Sequence, residues 1–433
     1  MNPLPTSPDV VIGPFALLVL ALPVVLAGEW ISRRFPGLGR LHIPPAILGG
    51  ALVALGVLIA GEVRPGSVRI QGETSAVAWL WPILSQWDFS APRPTGVERL
   101  LLILFFTCMG LNASWALARQ GGRPLLLFFG AASLLAVVQA GVGASLAGAL
   151  GQNPLLGVLA GTTALMGGFG TVAGFAPEFT KAGLEGAPVF GVAAAAYGVI
   201  AGGILAGIVG ARLLRAQIGV QGEATGAGPA AEGPVTGVAS LARSLAEMGG
   251  VAVLHLALVL VCMKAGAFLS AFLQARGLTF PVYMGALVVA AVVRNAHDVL
   301  GGRWLRTGCA DAIGAVALTW LLAVVMISLQ LAQLSRAALP LLLILAVQTA
   351  LTVLLARTLV FRLMGRDREA AMMTAGFVGF GLGATSNALA SMRELAARFG
   401  PAPRSFLIVP IVGAFLIDFT NALVTTLALN LLR

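Results

Sequence analysis

The chain has 433 residues, of which 58% are hydrophobic and only 10% charged, with a mean hydropathy of +0.95. Values this far outside the range of soluble globular domains mark an integral membrane protein. The net charge of +10 invites a nucleic-acid reading, but 25 of the 27 basic residues are arginines scattered between apolar runs without an aromatic-interleaved patch. Membrane topology accounts for them, and no nucleic-acid partner is expected.

Apolar runs near the roughly 20 residues that a helix needs to cross the hydrocarbon core predict spans in chain order. They fall near 12–31, 43–61, 99–118, 123–150, 187–212, 245–273, 279–294, 308–333, 337–361 and 405–431. Alternating ten-residue strands do not occur, so the expected fold is an all-α membrane protein of about ten transmembrane helices. The N-terminal MNPLPTSPDV lacks a positive region and a small-residue cleavage site, so the first span is expected to be retained. The loop over 62–98 carries Glu62, Glu73, Asp88 and Glu98, with Trp79, Trp81 and Trp87 suited to a membrane–water interface. Two glycine-broken apolar segments, about 154–176 and 369–392, remain, and the Gly/Ala/Pro-rich 216–237 reads as a flexible linker. Cys108, Cys262 and Cys309 lie inside apolar segments and read as small buried side chains.

The two halves resemble each other. PAILGGALV from Pro45 matches PVYMGALVV from Pro281, and LAVVQAGV around Gln139 matches ILAVQTAL around Gln348. The broken segments then follow at similar distances, 28 residues from Gln139 to Gly167 and 31 from Gln348 to Gly379. This predicts an N-terminal membrane repeat over 1–215, a cytoplasmic linker over 216–240 and a C-terminal repeat over 241–433. With both termini outside, 18 of the 27 basic residues fall on the cytoplasmic side. Five spans per half then make the second repeat inverted, each repeat carrying a Gly-rich re-entrant loop.

Non-helical chain at membrane depth persists only where it is buried in protein or lines a wet cavity. Paired interruptions in two inverted halves therefore point to a transporter site near the midplane. Helix N-termini there hold a carboxylate, while carbonyls and C-termini coordinate a cation such as sodium. Side-chain oxygens are available at Thr162, Thr163 and Thr171 in the first break, and at Thr385, Ser386 and Asn387 in the second. Intramembrane charge is costly and makes its bearers candidates. Asp418, one turn from Asn421, suits sodium binding, proton transfer or a structural pair. Lys264 suits a substrate carboxylate, snorkelling or structural pairing, and Asp311 lies near the inner end of its span. Gln139 and Gln348 suit the site lining or helix–helix hydrogen bonds. No HExxH and no phosphate-binding GxxxxGK occurs, so no enzyme and no cofactor is expected, and transport energy must come from an ion gradient.

FFTCMGLNAS at 105–114, NPLLGVLAGTTALMGGFGTVAG at 153–174, GFGLGATSNALASM at 379–392 and IVPIVGAFLIDFTNAL at 408–423 together resemble the bacterial sodium/glutamate symporter family. With IPPAILGGALVAL in the second span, the resemblance runs from about residue 43 to the C-terminus. It implies an inner-membrane secondary transporter, homodimeric, taking up glutamate with Na+ as coupling ion. Carried over residue by residue, the loop positions are Gly167, Gly168, Gly170 and Thr171, then Gly379, Gly381, Gly383, Ala384 and Thr385. Asn112, Asp418 and Asn421 also match, and with Gly379 they are the sodium candidates. The family pattern has histidine where Phe169 and Phe377 stand and proline where Ser386 stands. Phe169 therefore joins the expected substrate-contacting set, and another amino acid or a dicarboxylate stays open as substrate. A proton-coupled transporter is the nearest alternative, and an ion channel the alternative of another class.

Overall fold

The computed structural model describes residues 10–35, 44–63, 68–85, 95–221, 243, 246–276, 282–302, 304–329, 337–383 and 385–432. Its helices, in chain order, begin with α1 (Pro14–Arg34), α2 (Pro45–Val63), α3 (Val97–Asn112) and α4 (Gly122–Ala149). There follow α5 (Pro154–Val158), which runs on as a π-helical turn over Leu159–Met166, then α6 (Gly168–Lys181) and α7 (Ala187–Gln221). Next come α8 (Gly250–Ala275), α9 (Val282–Val299), α10 (Thr307–Ile327) and α11 (Ala338–Leu355). The chain closes with α12 (Arg368–Leu382), α13 (Thr385–Phe399), α14 (Pro403–Ile411) and α15 (Ile417–Leu431). Proline opens α1, α5 and α14, where its missing N–H is one that no helix could satisfy anyway. Among the described residues, six helices are long and apolar enough to cross a bilayer: Pro14–Arg34, Gly122–Ala149, Ala187–Gln217, Gly250–Leu273, Thr307–Ile327 and Ala338–Leu363. The chain is an integral membrane protein built on helices.

The helices sort into two compact units that cut across the sequence halves. One unit comprises 1–39, 44–113 and 236–335; the other comprises 40–43, 114–235 and 336–433. Each takes helices from both sides of the expected linker. That linker lies largely outside the described residues, although α7 extends to Gln221 and makes its first residues helical.

The first unit packs α1 to α3 with α8 to α10. Side-chain-free contact lets its helices close up: a Cβ on Gly110 of α3 would stand 2.8 Å from that of Ala290 in α9. Beside it, Phe106 and Tyr283 stack with centroids 3.9 Å apart. The long loop is not wholly irregular. Val10–Ile12 pairs in parallel with Val68–Ile70, and Glu73–Thr74 pairs antiparallel with Thr95–Gly96. These short ladders satisfy backbone groups where the chain leaves the helices, which helical periodicity does not foresee. Trp79 meets Phe15 edge-on at 6.1 Å, and Trp81 lies 5.1 Å from the Lys264 ammonium. Both rings are thus engaged in packing, whereas Trp87 lies outside the described residues. Cys108, Cys262 and Cys309 are all buried and free, as their apolar surroundings predict.

The second unit packs α4 to α7 with α11 to α15. The longest helix, α7 with 35 residues, backs α12 and α13. Phe128 of α4 meets Phe377 and Phe380 of α12 edge-to-face, at 5.7 and 5.9 Å. Such clusters add about 0.5–1.5 kcal/mol per aromatic pair beyond the area they bury. They fix α12 against α4 at the level where the helices break.

Candidate functional site

Both glycine-broken segments lie in the second unit, and each is more helical than its composition suggests. In the first, the chain leaves helical geometry at Gly161 (φ −93°, ψ −117°), inside the π-turn. It turns again at Gly168, whose φ of +66° falls where side chains are strained, and helix α6 starts there. The run GGFGTVAGF, expected to be irregular, is therefore helical from Gly168 onward. Gly170 and Thr171 sit in the first turn of α6, and Thr171 and Phe169 are buried. In the second segment α12 ends at Leu382, Gly383 caps it in non-helical geometry, and α13 restarts at Thr385. Gly379 and Gly381 are helical, so GFG is also not the break itself. Ala384 and the Ser386 side chain lie outside the described residues.

The two breaks meet. A Cβ on Gly168 would stand 3.4 Å from the Gly383 carbonyl oxygen. The N-terminus of α6, the N-terminus of α13 and the C-terminus of α12 thus converge, bringing two positive helix ends and one negative end together.

Around them lies a buried polar network. Thr162 Oγ1 donates to Asn421 Oδ1 at 2.7 Å, and Thr163 and Thr425 share a hydroxyl–hydroxyl bond of 3.0 Å. These bonds tie the π-turn to α15. From α4, Gln139 Nε2 donates to the Gly381 carbonyl and to Thr352 Oγ1, both at 3.1 Å. From α11, Gln348 Nε2 donates to the Gln139 carbonyl at 2.7 Å, and it stands 2.9 Å from where a Cβ on Gly161 would be. Each glutamine therefore reaches the glycine-broken segment of the opposite sequence half. Asn387 Nδ2 donates to the Val199 carbonyl at 2.6 Å, which fixes α13 on α7. Within this network, Gln139 Oε1, Gln348 Oε1 and Asn421 Nδ2 are buried without a hydrogen-bond partner among the described residues. Buried polar atoms are nearly always satisfied, so these three are the atoms most in want of a ligand.

Other candidates fall elsewhere. Asp418 is half-buried at the start of α15, and among the described residues it takes no hydrogen bond from Asn421, whose carbonyl faces Thr162 and Thr425 instead. Phe377 is fully buried in the aromatic cluster, a packing position. Gly379 provides close packing, since its Cβ would stand 2.6 Å from the Ala388 backbone. Asn112, Asp311 and Lys264 belong to the first unit. There Asn112 Nδ2 donates to Asp311 Oδ1 at 2.6 Å. Lys264 Nζ donates to the carbonyls of Trp81 (3.2 Å) and Leu84 (2.8 Å), tethering the long loop.

Sequence reasoning did not foresee Gly161, Thr352 or Thr425. A single threonine in an apolar helix ordinarily bonds its own backbone one turn back, as Thr352 also does to Gln348 at 2.9 Å, so it carries no signal of a second partner.

The family model described as Sodium/glutamate symporter matches residues 11–401. The sodium/glutamate symporter of Haemophilus influenzae is 33% identical over 415 residues, covering 94% of this chain and 95% of that protein. That of Escherichia coli K12 is 33% identical over 419 residues, covering 96% and 97%, as is that of Shigella flexneri. Similarity of this extent, with a family model that spans both helix breaks, leaves one conclusion: the chain belongs to the sodium/glutamate symporter family.

Proposed function

We propose that this protein takes up L-glutamate, or a closely similar anionic amino acid, together with Na+ by alternating access across the bacterial inner membrane. One observation carries the reading: helix breaks from opposite halves of the chain meet within a single compact unit, at Gly168 and Gly383. The N-terminal amides of α6 and α13, with Thr171 and Thr385 beside them, hold the substrate carboxylates. Asn421 Nδ2, a buried donor against Gly167, adds to that side. The orphaned amide oxygens of Gln139 and Gln348 suit the positive charges, the substrate ammonium or the ion. Hydroxyls of Thr162 and Thr163, with carbonyls at the end of α12, offer the hard oxygens that Na+ needs.

The chain is arranged as two inverted repeats with ten spans, and the crossed reach of Gln139 and Gln348, each toward the other half's glycine-broken segment, supports the kinship of the halves. Both breaks lie in the second unit, so the transport site belongs to it, and the protein works as a homodimer. Asp418 tunes ion coupling from the same helix as Asn421. Phe169, buried at a position where the family pattern has histidine, favours a second reading in which the preferred substrate is another amino acid or a dicarboxylate.

Reconstituted proteoliposomes test this directly. Labelled glutamate should accumulate when an inward sodium gradient is imposed and should not when potassium replaces sodium. Accumulation indifferent to sodium would overturn the coupling. Absence of saturable counterflow would favour a channel, and competition by unlabelled amino acids and dicarboxylates ranks the substrates.

A further inference from the structure

Helices α7 and α13 run side by side in the second unit. Asn387 meets the Val199 carbonyl, and four residues on Ser391 meets that of Gly203 at 3.3 Å. Beyond these bonds the helices enclose an open groove of about 430 Å³, away from the meeting point of the breaks. Its chemistry is graded along its length. At one end are Ile204 and Ile208, 49% and 42% exposed, flanking glycines 203 and 207 that leave the groove deep. At the other end are Arg212, Arg215 and Arg398, with Glu394 as the single acid. Glu394 is occupied by Arg398 at 2.6 Å. Among the described residues neither Arg212 nor Arg215 forms an ion pair. The cationic end therefore keeps a net charge of two.

Length decides what fits. At about 1.5 Å per residue, Ile200 to Arg212 spans roughly 18 Å, and Arg215 lies about 5 Å further. Half the hydrocarbon core is about 15 Å, with the headgroup region outside it. The apolar stretch thus matches one leaflet's acyl depth, and the arginines match headgroup depth. Guanidinium groups are suited to phosphate oxygens, and basic pockets between transmembrane helices at this depth take anionic lipid headgroups. A soluble anion would leave the isoleucines uncovered, and a neutral lipid would leave the arginines unpaired.

We propose that this groove is a binding site for one anionic phospholipid, its phosphate held by Arg212 and Arg215 and an acyl chain lying along Ile204 and Ile208. The site rests on the membrane setting alone, not on the substrate or the coupling ion. Occupancy would brace α13, the helix whose N-terminus faces the other break, and so couple lipid composition to transport.

The full chain, purified in detergent and stripped of lipid, should gain several degrees of melting temperature with phosphatidylglycerol. Phosphatidylcholine of the same chains and glycerol phosphate should give little, because ligand stabilises by preferential binding to the folded state. R212Q/R215Q should lose most of the phosphatidylglycerol shift, and R212K/R215K should retain it. Equal shifts from both lipids, a full shift from glycerol phosphate, or an undiminished shift in R212Q/R215Q would overturn the proposal. Should the glutamine variant fail to fold, I208W fills the apolar half without touching charge, and a retained shift there overturns it equally. A photocrosslinker at residue 204 should label lipid. Labelling of a second copy of the chain would instead make the groove a protein interface.

Discussion

The first helix break spreads from Gly161 to Gly168 and is tied to α15 through side chains, Thr162 to Asn421 and Thr163 to Thr425. The second is confined to the residues between Leu382 and Thr385, and its backbone lies directly against that of α7, where a Cβ on Gly198 would overlap the Leu382 carbonyl. A side-chain tether can be weakened in steps, whereas backbone contact tolerates no added atom. Its side-chain tether makes the first break the more adjustable of the two, even though a Cβ on Gly161 would also stand 2.9 Å from the Gln139 carbonyl oxygen.

The sharpest way to break that comparison is at Gly198. Gly198→Val must push α7 off the second break, and overpacking of this kind costs roughly 1–3 kcal/mol or more. Melting temperature in detergent should fall clearly and sodium-driven uptake should vanish. Gly130→Val, on α4 with no atom within 4 Å of its built Cβ, should change neither. If both variants behave alike, the second break is not held by its contact with α7.

The two glutamines sharpen the comparison next. They occupy matching places in the two halves but do unequal work. Gln139 makes two side-chain bonds, to Gly381 and Thr352, whereas Gln348 makes one, to the Gln139 carbonyl. Interhelical bonds within membranes are worth about 0.6 kcal/mol on average and up to about 1.7. Gln139→Leu should therefore lower thermal stability by about twice as much as Gln348→Leu, since it removes two interhelical bonds against one. Equal losses would mean that the two breaks are supported alike.

Much of this architecture was legible in the sequence, though not where within each motif the break falls. Glycine-broken segments, the paired glutamines and the threonines all follow from composition and from the match between halves. The glycine runs themselves mislead, because glycine is tolerated in a packed helix and only marks where a break is permitted. GFG at 379–381 is helical, packed against α4 and α13, while the break waits for Gly383. The division into units was not legible at all. It is made by contacts such as Gln139 to Gly381, 242 residues apart, which no local pattern encodes. Phe377 shows the limit of a residue match, since its ring completes a cluster with Phe128 and Phe380.

The smallest expected change in stability falls at the first break, and it carries the most information about coupling. Thr162→Val keeps shape but removes the 2.7 Å bond to Asn421, whose carbonyl is then left with Thr425 at 3.5 Å. Stability should drop by only about 0.6 kcal/mol. On the proposed function the sodium concentration for half-maximal uptake should nonetheless rise several-fold, because the hydroxyl that positions Asn421 is there also an oxygen ligand of the ion. Thr162→Ser, which restores the hydroxyl, should return it close to the starting value. A variant that lowers maximal uptake while leaving sodium half-saturation unchanged would make the tether purely structural. The adjustable break would then be adjustable for substrate and not for sodium.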